Sequence, residues 1–183
     1  MVILNLRNLF VPLLALIPLL FLSCTFAPEG ITPVSGFEVD RYLGTWYEIA
    51  RFDHRFERGL TDVTATYALR EDGGVEVINR GYDTEESEWK EARGKAFFTG
   101  DPSVGQLKVT FFWPFYGGYN IIELDREDYG WALVCGPKMT YLWILARTPS
   151  LDGNILNRLI ARARELGFDT DRLLYVSHEQ DTL

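Results

Sequence analysis

The sequence predicts an all-β fold: an eight-stranded, up-and-down antiparallel β-barrel with one C-terminal α-helix packed outside it. Three observations carry this expectation. Eight short runs alternate apolar and polar residues and are joined by short links rich in Gly, Pro and Asp. The period of two gives way to a helical period only near the C-terminus. The first run opens on Gly44-Thr45-Trp46, a small-residue bend followed by an indole bulky enough to fill the narrow end of a cup.

The strands are expected, in order, at residues 46–52, 63–69, 75–82, 91–99, 106–113, 119–125, 130–135 and 141–147. The first follows the Gly44 bend, and the second alternates with Thr and Ala. Arg70-Glu71-Asp72-Gly73-Gly74 supplies an Asp-Gly hairpin turn before the third. Gly100-Asp101-Pro102-Ser103 ends the fourth, and Pro114-Phe115-Tyr116-Gly117-Gly118 reads as the loop between the fifth and sixth. Gly136-Pro137 starts the last link. Ile155, Leu156, Leu159, Ile160, Ala163 and Leu166 then recur at helical spacing, with Asp152 placed as N-cap and Gly167 as the stop. Residues 173–177 could add a short strand.

The 183 residues, 47% of them hydrophobic, suit one domain plus a leader. A net charge of −8 repels phosphate, so nucleic acid is not an expected partner. Residues 9–22 read LFVPLLALIPLLFL, uncharged and preceded by Arg7. That is the layout of a signal peptide, shorter than the roughly 20 residues of a membrane-spanning helix and broken by Pro12 and Pro18. Ser23-Cys24 at its end resembles the lipobox of bacterial lipoproteins, in which the Cys is lipidated. Thr25, where Asp would favour inner-membrane retention in such proteins, points to the outer membrane. The division is therefore 1–23 signal peptide, 24–36 Pro- and Gly-rich tether, and 37–183 barrel domain. An uncleaved anchor and a plain secretory signal with an incidental Cys are the competing readings. With Cys24 acylated, Cys135 has no disulfide partner; its apolar run marks it as a buried, inert thiol.

An eight-stranded barrel is filled by its own side chains or holds one small ligand. Alternation along Tyr141-Leu142-Trp143-Ile144-Leu145-Ala146-Arg147 places Trp143 and Arg147 on one face. Arg147 is expected to stack on Trp46 beside Gly44 at the closed end, with Trp143 inside and nearer the mouth. The expected lining is Ala50, Val63, Ala65, Phe97, Val109, Tyr116, Tyr119 and Trp143. Glu48 shares the face of Trp46, with Arg80 or Lys95 as its expected partner. The stretch Arg51, Asp53, His54, Arg55, Arg58 offers a cation to an anionic head group, or is an ordinary solvated loop. The hydrophobic loop 113–118 could guard the mouth, dip into a membrane, or make a homodimer contact.

Gly44-x-Trp46, Leu124-Asp125-Arg126-Glu127 and Arg147 resemble, in order and spacing, the three signature regions of lipocalins. Longer segments, YLGTWYEIARFDHRFERG and GYNIIELDRE among them, are similar to the bacterial outer-membrane lipocalins related to apolipoprotein D. The resemblance covers about residues 36–178. In the second region Tyr129 is displaced from Asp125 by an extra residue. The resemblance implies binding, storage or transport of fatty acids or lysophospholipids at the periplasmic face of the outer membrane, in the upkeep of damaged membrane lipids. A haem or metal carrier is a further reading, but the sequence offers no obvious axial His within a barrel strand, so no cofactor and no metal are expected. A lipocalin-derived enzyme is the first competitor, but G-x-S-x-G and H-E-x-x-H are missing and Cys135 is a poor nucleophile. A filled-barrel structural lipoprotein is the second.

Overall fold

Alternation carries the chain through eight antiparallel strands: β1 (Gly44–Phe52), β2 (Leu60–Leu69), β3 (Val75–Asp83), β4 (Glu88–Phe98), β5 (Gln106–Phe112), β6 (Phe115–Leu124), β7 (Trp131–Cys135) and β8 (Leu142–Ala146). The computed structural model describes residues 26–179; the leader and Cys24 lie outside the described residues. Each strand pairs with the next, and β8 returns to pair with β1, so the sheet closes into the expected barrel. A short helix, α1 (Val39–Tyr42), leads into β1. Helix α2 (Gly153–Glu165) follows β8, and a last strand, β9 (Leu173–Tyr175), pairs with β1.

β1 is shared between two neighbours on one side. Its first half, Gly44–Tyr47, pairs with β2, while Ala50, Arg51 and Phe52 pair with β9. The tail thereby bridges the gap where β2 leaves β1. The Asp62 amide donates to the Ser177 carbonyl at 2.8 Å, and the Val176 amide to the Ile49 carbonyl at 3.0 Å.

Period two sorts the apolar side chains into two clusters. Trp46, Tyr67, Val75, Val77, Ala96, Leu107, Ile121, Val134 and Leu145 face the interior. Phe52, Leu133, Ile144 and their neighbours face outward, where Leu159, Ala163 and Phe168 cover them. α2 is capped as expected. The Asp152 carboxylate accepts from the amides of Asn154 and Ile155. Gly167, at φ +90°, ends the helix as Phe168 donates back to the Ala163 carbonyl at 3.0 Å.

The β5–β6 connection is tighter than the sequence predicts. Gly117 and Gly118 lie within β6, and the hairpin turns at Trp113-Pro114 instead. Gly118 is needed there for close approach, not for a bend. A Cβ at that position would stand 1.8 Å from the Phe26 carbonyl oxygen, which lies against the strand.

Gly44, Trp46 and Arg147 meet at one end of the barrel. The Arg147 guanidinium lies 4.0 Å from the Trp46 ring centroid. It donates to the carbonyls of Thr45 (2.9 Å), Arg41 (2.8 Å) and Tyr129 (3.3 Å). Trp46, fully buried, donates from Nε1 to the Tyr42 carbonyl at 2.8 Å, and the Tyr42 ring leans on the indole with centroids 4.5 Å apart. Gly44 sits at φ +90°, where a side chain would be strained beside Arg147. Tyr129, despite its displacement, serves the same end: its hydroxyl accepts from the Glu38 amide, and Arg41 stacks on its ring. Arg147→Ala is expected to lower stability by about 3 kcal/mol, since it strips three carbonyls of a charged donor. Arg147→Lys should recover less than half, because a point charge does not span three acceptors. Urea unfolding midpoints of the three proteins check both.

Candidate functional site

The inward positions enclose one cavity that runs from the Trp46 end toward the opposite mouth. Val63, Ala65 and Tyr67 of β2, Val75, Val77 and Asn79 of β3, and Ala96 of β4 form one wall. Leu107, Val109 and Phe111 of β5, Tyr119 of β6, and Trp143 and Leu145 of β8 form the other. Phe37, Tyr42 and Leu43, around α1, make the floor. The cavity measures about 120 Å³. It is smaller than the roughly 300–1,000 Å³ usual for drug-sized ligands, so a long acyl chain needs the mouth to widen.

Of the lining residues expected from the sequence, Val63, Ala65, Val109, Tyr119 and Trp143 stand on this cavity. Three do not. Ala50 packs outside the barrel with Ile144 and Ala163, because a β-bulge between Glu48 and Ala50 inserts one residue and inverts the alternation. Phe97 faces outward because Gly94, Ala96 and Phe98 hold the inward phase of β4, and Phe98 packs on the interior cluster. Tyr116 lies in the projecting β5–β6 hairpin, with the Lys108 ammonium 5.1 Å from its ring centroid.

The same bulge turns Arg51 inward. Its Nη1 meets Glu48 Oε1 at 2.6 Å, both side chains being about 5% exposed. Glu48 is thus paired within its own strand, and neither Arg80 nor Lys95 is its partner; Arg80 stacks on Trp89. The loop 53–59 folds back over the mouth and sends Glu57 inside. Glu57 Oε2 lies 2.8 Å from His54 Nε2 and accepts from Trp143 Nε1 at 3.2 Å. Arg51 Nη2 donates to the Glu57 carbonyl at 2.7 Å, fixing the loop from below. The charged stretch is therefore split. Arg51 and His54 are buried, Asp53 and Arg58 pair on the surface at 2.7 Å, and Arg55 stacks on Phe56.

Burial pushes the Glu48 carboxyl well above the ordinary range, helped by the Glu57 charge and opposed by Arg51. Burial also pushes Glu57 up, but the His54 hydrogen bond and charge, Trp143 and Arg51 outweigh it and hold Glu57 below the ordinary value. One carboxyl of the pair thus resists ionisation while the other favours it.

At the floor three hydroxyls meet. Tyr67 donates to Tyr119 at 2.9 Å, and the oxygens of Tyr119 and Tyr42 are 2.7 Å apart. Sequence reasoning passed over Tyr67, although the alternation that places Val63 and Ala65 inward extends to it. It also passed over Glu57, for which a loop position gives no period to read.

The open end carries a rim of exposed aromatics. Phe112 is 73%, Trp113 81%, Phe115 78% and Phe56 60% exposed. The described chain begins against β6, where Phe26 lies on Gly118 and Asn120. The Phe26 carbonyl accepts from Asn120 Nδ2 at 2.6 Å, next to the Cys135 and Gly136 carbonyls at the mouth end of β7.

The sequence matches the Lipocalin-like domain family over residues 37–178. It is 54% identical over 166 residues to the outer membrane lipoprotein Blc of Vibrio cholerae, covering 91% of this chain and 97% of that protein. It is 58% identical over 149 residues to Blc of Escherichia coli K12, covering 81% and 84%. Bovine apolipoprotein D is more distant, at 34% over 121 residues and 63% of each chain. Insecticyanin from the tobacco hornworm shares the fold with a TM-score of 0.68 at 17% identity, over 85% of this chain and 88% of that one.

The paired carboxyls give opposite pH dependences. Glu57, held low, stabilises the folded state above the free Glu value of about 4.3, and that contribution is lost as pH falls through its folded pKa. Glu48, held high, contributes most at low pH, and its contribution is lost as pH rises through its folded pKa. Glu57→Gln should flatten the acid limb of the stability profile, and Glu48→Gln the loss on the alkaline side. Urea unfolding at stepped pH separates the two.

Proposed function

This chain belongs to the lipocalin family, and from that premise we propose that it is an outer-membrane lipoprotein holding one fatty acid or lysophospholipid in its barrel. The acyl chain lies along the apolar walls, and the polar head sits near the mouth by Arg51, His54 and Glu57. The observation that carries this reading is an apolar cavity closed at the Trp46 end and ringed by exposed aromatics at the other. A water-soluble surface has no use for four large aromatics around an opening, whereas a lipid donor surface does.

Cys24 stands two residues before Phe26, so a lipid on Cys24 would leave the membrane surface beside the open end. The names of the Vibrio and Escherichia relatives support the same location. In this orientation a lipid passes between bilayer and barrel without crossing water, which suits the storage or transfer of displaced membrane lipids. Loop 53–59 has to shift outward for a full-length chain, which breaks the ties of Glu57 to Trp143 and Arg51 and the packing of the His54 ring on Tyr141 and Trp143. Binding is favoured over catalysis by the state of Cys135. It is fully buried in the outer cluster, away from the cavity, with its thiol pushed up to about 12 by burial. The same aromatic rim could instead seat a second copy of the chain. Sedimentation with and without lipid vesicles distinguishes the two, since a dimer face stays occupied when vesicles are absent.

Native mass spectrometry of the protein extracted from its own membrane should show one lipid per barrel, and an empty or solid barrel would overturn the reading. Cys24→Ser should release the protein from the membrane fraction. Lysophospholipid should quench Trp143 fluorescence, and Trp143→Ala should weaken its binding about tenfold by removing a buried aromatic contact. Unchanged affinity in that variant would move the ligand elsewhere.

A further inference from the structure

We propose that the floor of the cavity is a polar subsite in which the Tyr67–Tyr119–Tyr42 hydroxyl chain hydrogen-bonds a neutral oxygen at the buried end of the ligand. The inference rests on the lipid-binding reading and names what that lipid carries at its deep end.

The case is one of counting. Three phenolic hydroxyls bring three hydrogens, and two bonds join them, Tyr67 to Tyr119 at 2.9 Å and Tyr119 with Tyr42 at 2.7 Å. If Tyr119 donates to Tyr42, the Tyr42 hydrogen is left over; if Tyr42 donates to Tyr119, the Tyr119 hydrogen is. In either arrangement one donor has no acceptor among the described residues. Trp46 does not relieve it, because its Nε1–H is a donor only and is spent on the Tyr42 carbonyl. The nearby walls are Val75, Val77, Leu107 and Leu145, which offer no lone pair. A bare methyl end seated there leaves a buried O–H unpaired, which disfavours that arrangement.

The charge on the expected acceptor follows from the same surroundings. Burial raises all three phenols, so they remain protonated donors. The Arg147 guanidinium stacks on Trp46 and is tied to three backbone carbonyls; its charge favours the ionised phenols of Tyr42 and Tyr67, but burial outweighs it there. A carboxylate would be desolvated with no counter-ion in contact, which is costly; a hydroxyl, ketone or protonated acid avoids that cost. Two sources supply such an oxygen: an oxidised acyl chain entering tail first, or a fatty acid entering head first as the neutral acid.

Three probes separate these sources: lysophosphatidylcholine with a plain hexadecanoyl chain, the same lipid with a 16-hydroxyhexadecanoyl chain, and palmitic acid. Affinities are measured by displacement of a fluorescent fatty acid from the wild-type protein, from Tyr42→Phe, and from the combined Tyr42→Phe, Tyr67→Phe, Tyr119→Phe variant. Wild type should bind the hydroxyl-tipped lipid at least as tightly as the plain one. The triple variant should swing that ratio about tenfold or more toward the plain chain, the worth of one buried hydrogen bond. Tyr42→Phe should keep the wild-type ratio, because two hydroxyls sharing one bond still leave one donor. A role for these rings in packing alone predicts no such difference between single and triple variants. If the swing falls on palmitic acid and not on the hydroxyl-tipped lipid, the oxygen is a carboxyl that enters first, and the subsite stands. Rejection of both oxygenated probes by wild type, or equal weakening of all three probes in the triple variant, overturns the subsite. Failure of every probe, the plain lipid included, overturns the lipid-binding reading itself.

Discussion

Everything above the floor depends on how one guanidinium closes the barrel. Arg147 stacks on Trp46 and holds the carbonyls of Thr45, Arg41 and Tyr129, which come from three different segments of the chain. Those carbonyls belong to α1, the start of β1 and the loop before β7, where the sheet does not satisfy them. A single planar donor with five N–H groups does what several short side chains would otherwise have to do. Because this end is shut by charge-assisted bonds and an indole, the interior has one exit, and polarity along its axis follows. Apolar walls lie between a hydroxyl cluster below and an ionic cluster above.

The ionic cluster has its own origin in a single backbone irregularity. Without the bulge in β1, Arg51 would point to the outer face under α2 and Ala50 to the cavity. With it, one strand presents Trp46, Glu48 and Arg51 to the interior and still buries Ile49, Ala50 and Phe52 beneath the helix. The bulge thus lets a nine-residue strand serve two environments whose positions are out of phase. It also explains how Glu57, on a loop, turns its side chain inward: Arg51 and Trp143 supply the donors that its carbonyl and carboxylate need.

The residues that were legible in the sequence are those governed by regular geometry. Gly44, Trp46 and Arg147 could be placed together because a bend, a bulky ring and a strand-end cation are recognisable one by one. Val63, Ala65 and Trp143 followed from alternation. The helix and both its caps were readable because Asp152 and Gly167 act within one turn. Ala50 was not, since a bulge leaves no mark in a run of apolar residues. Tyr116 was misplaced because Gly117-Gly118 reads as a turn, when both lie within β6 and Gly118 serves a close approach by Phe26. Glu57 and the partner of Glu48 were hidden because loop conformation and ion pairing depend on contacts that no period encodes.

The pairing of β1 sets the order in which the fold can be completed. β1 is the first strand made, yet most of its length is hydrogen-bonded to β8 and β9, the last strands made. Its only near neighbour in sequence, β2, pairs with four of its residues. Contacts of such long sequence separation form slowly, because the loop entropy is lost before the contacts repay it. The barrel therefore cannot close until β8 has been made, and any shorter chain lacks a partner for the second half of β1. The three residues of β9 arrive after that closure and latch the part of β1 that β2 does not reach.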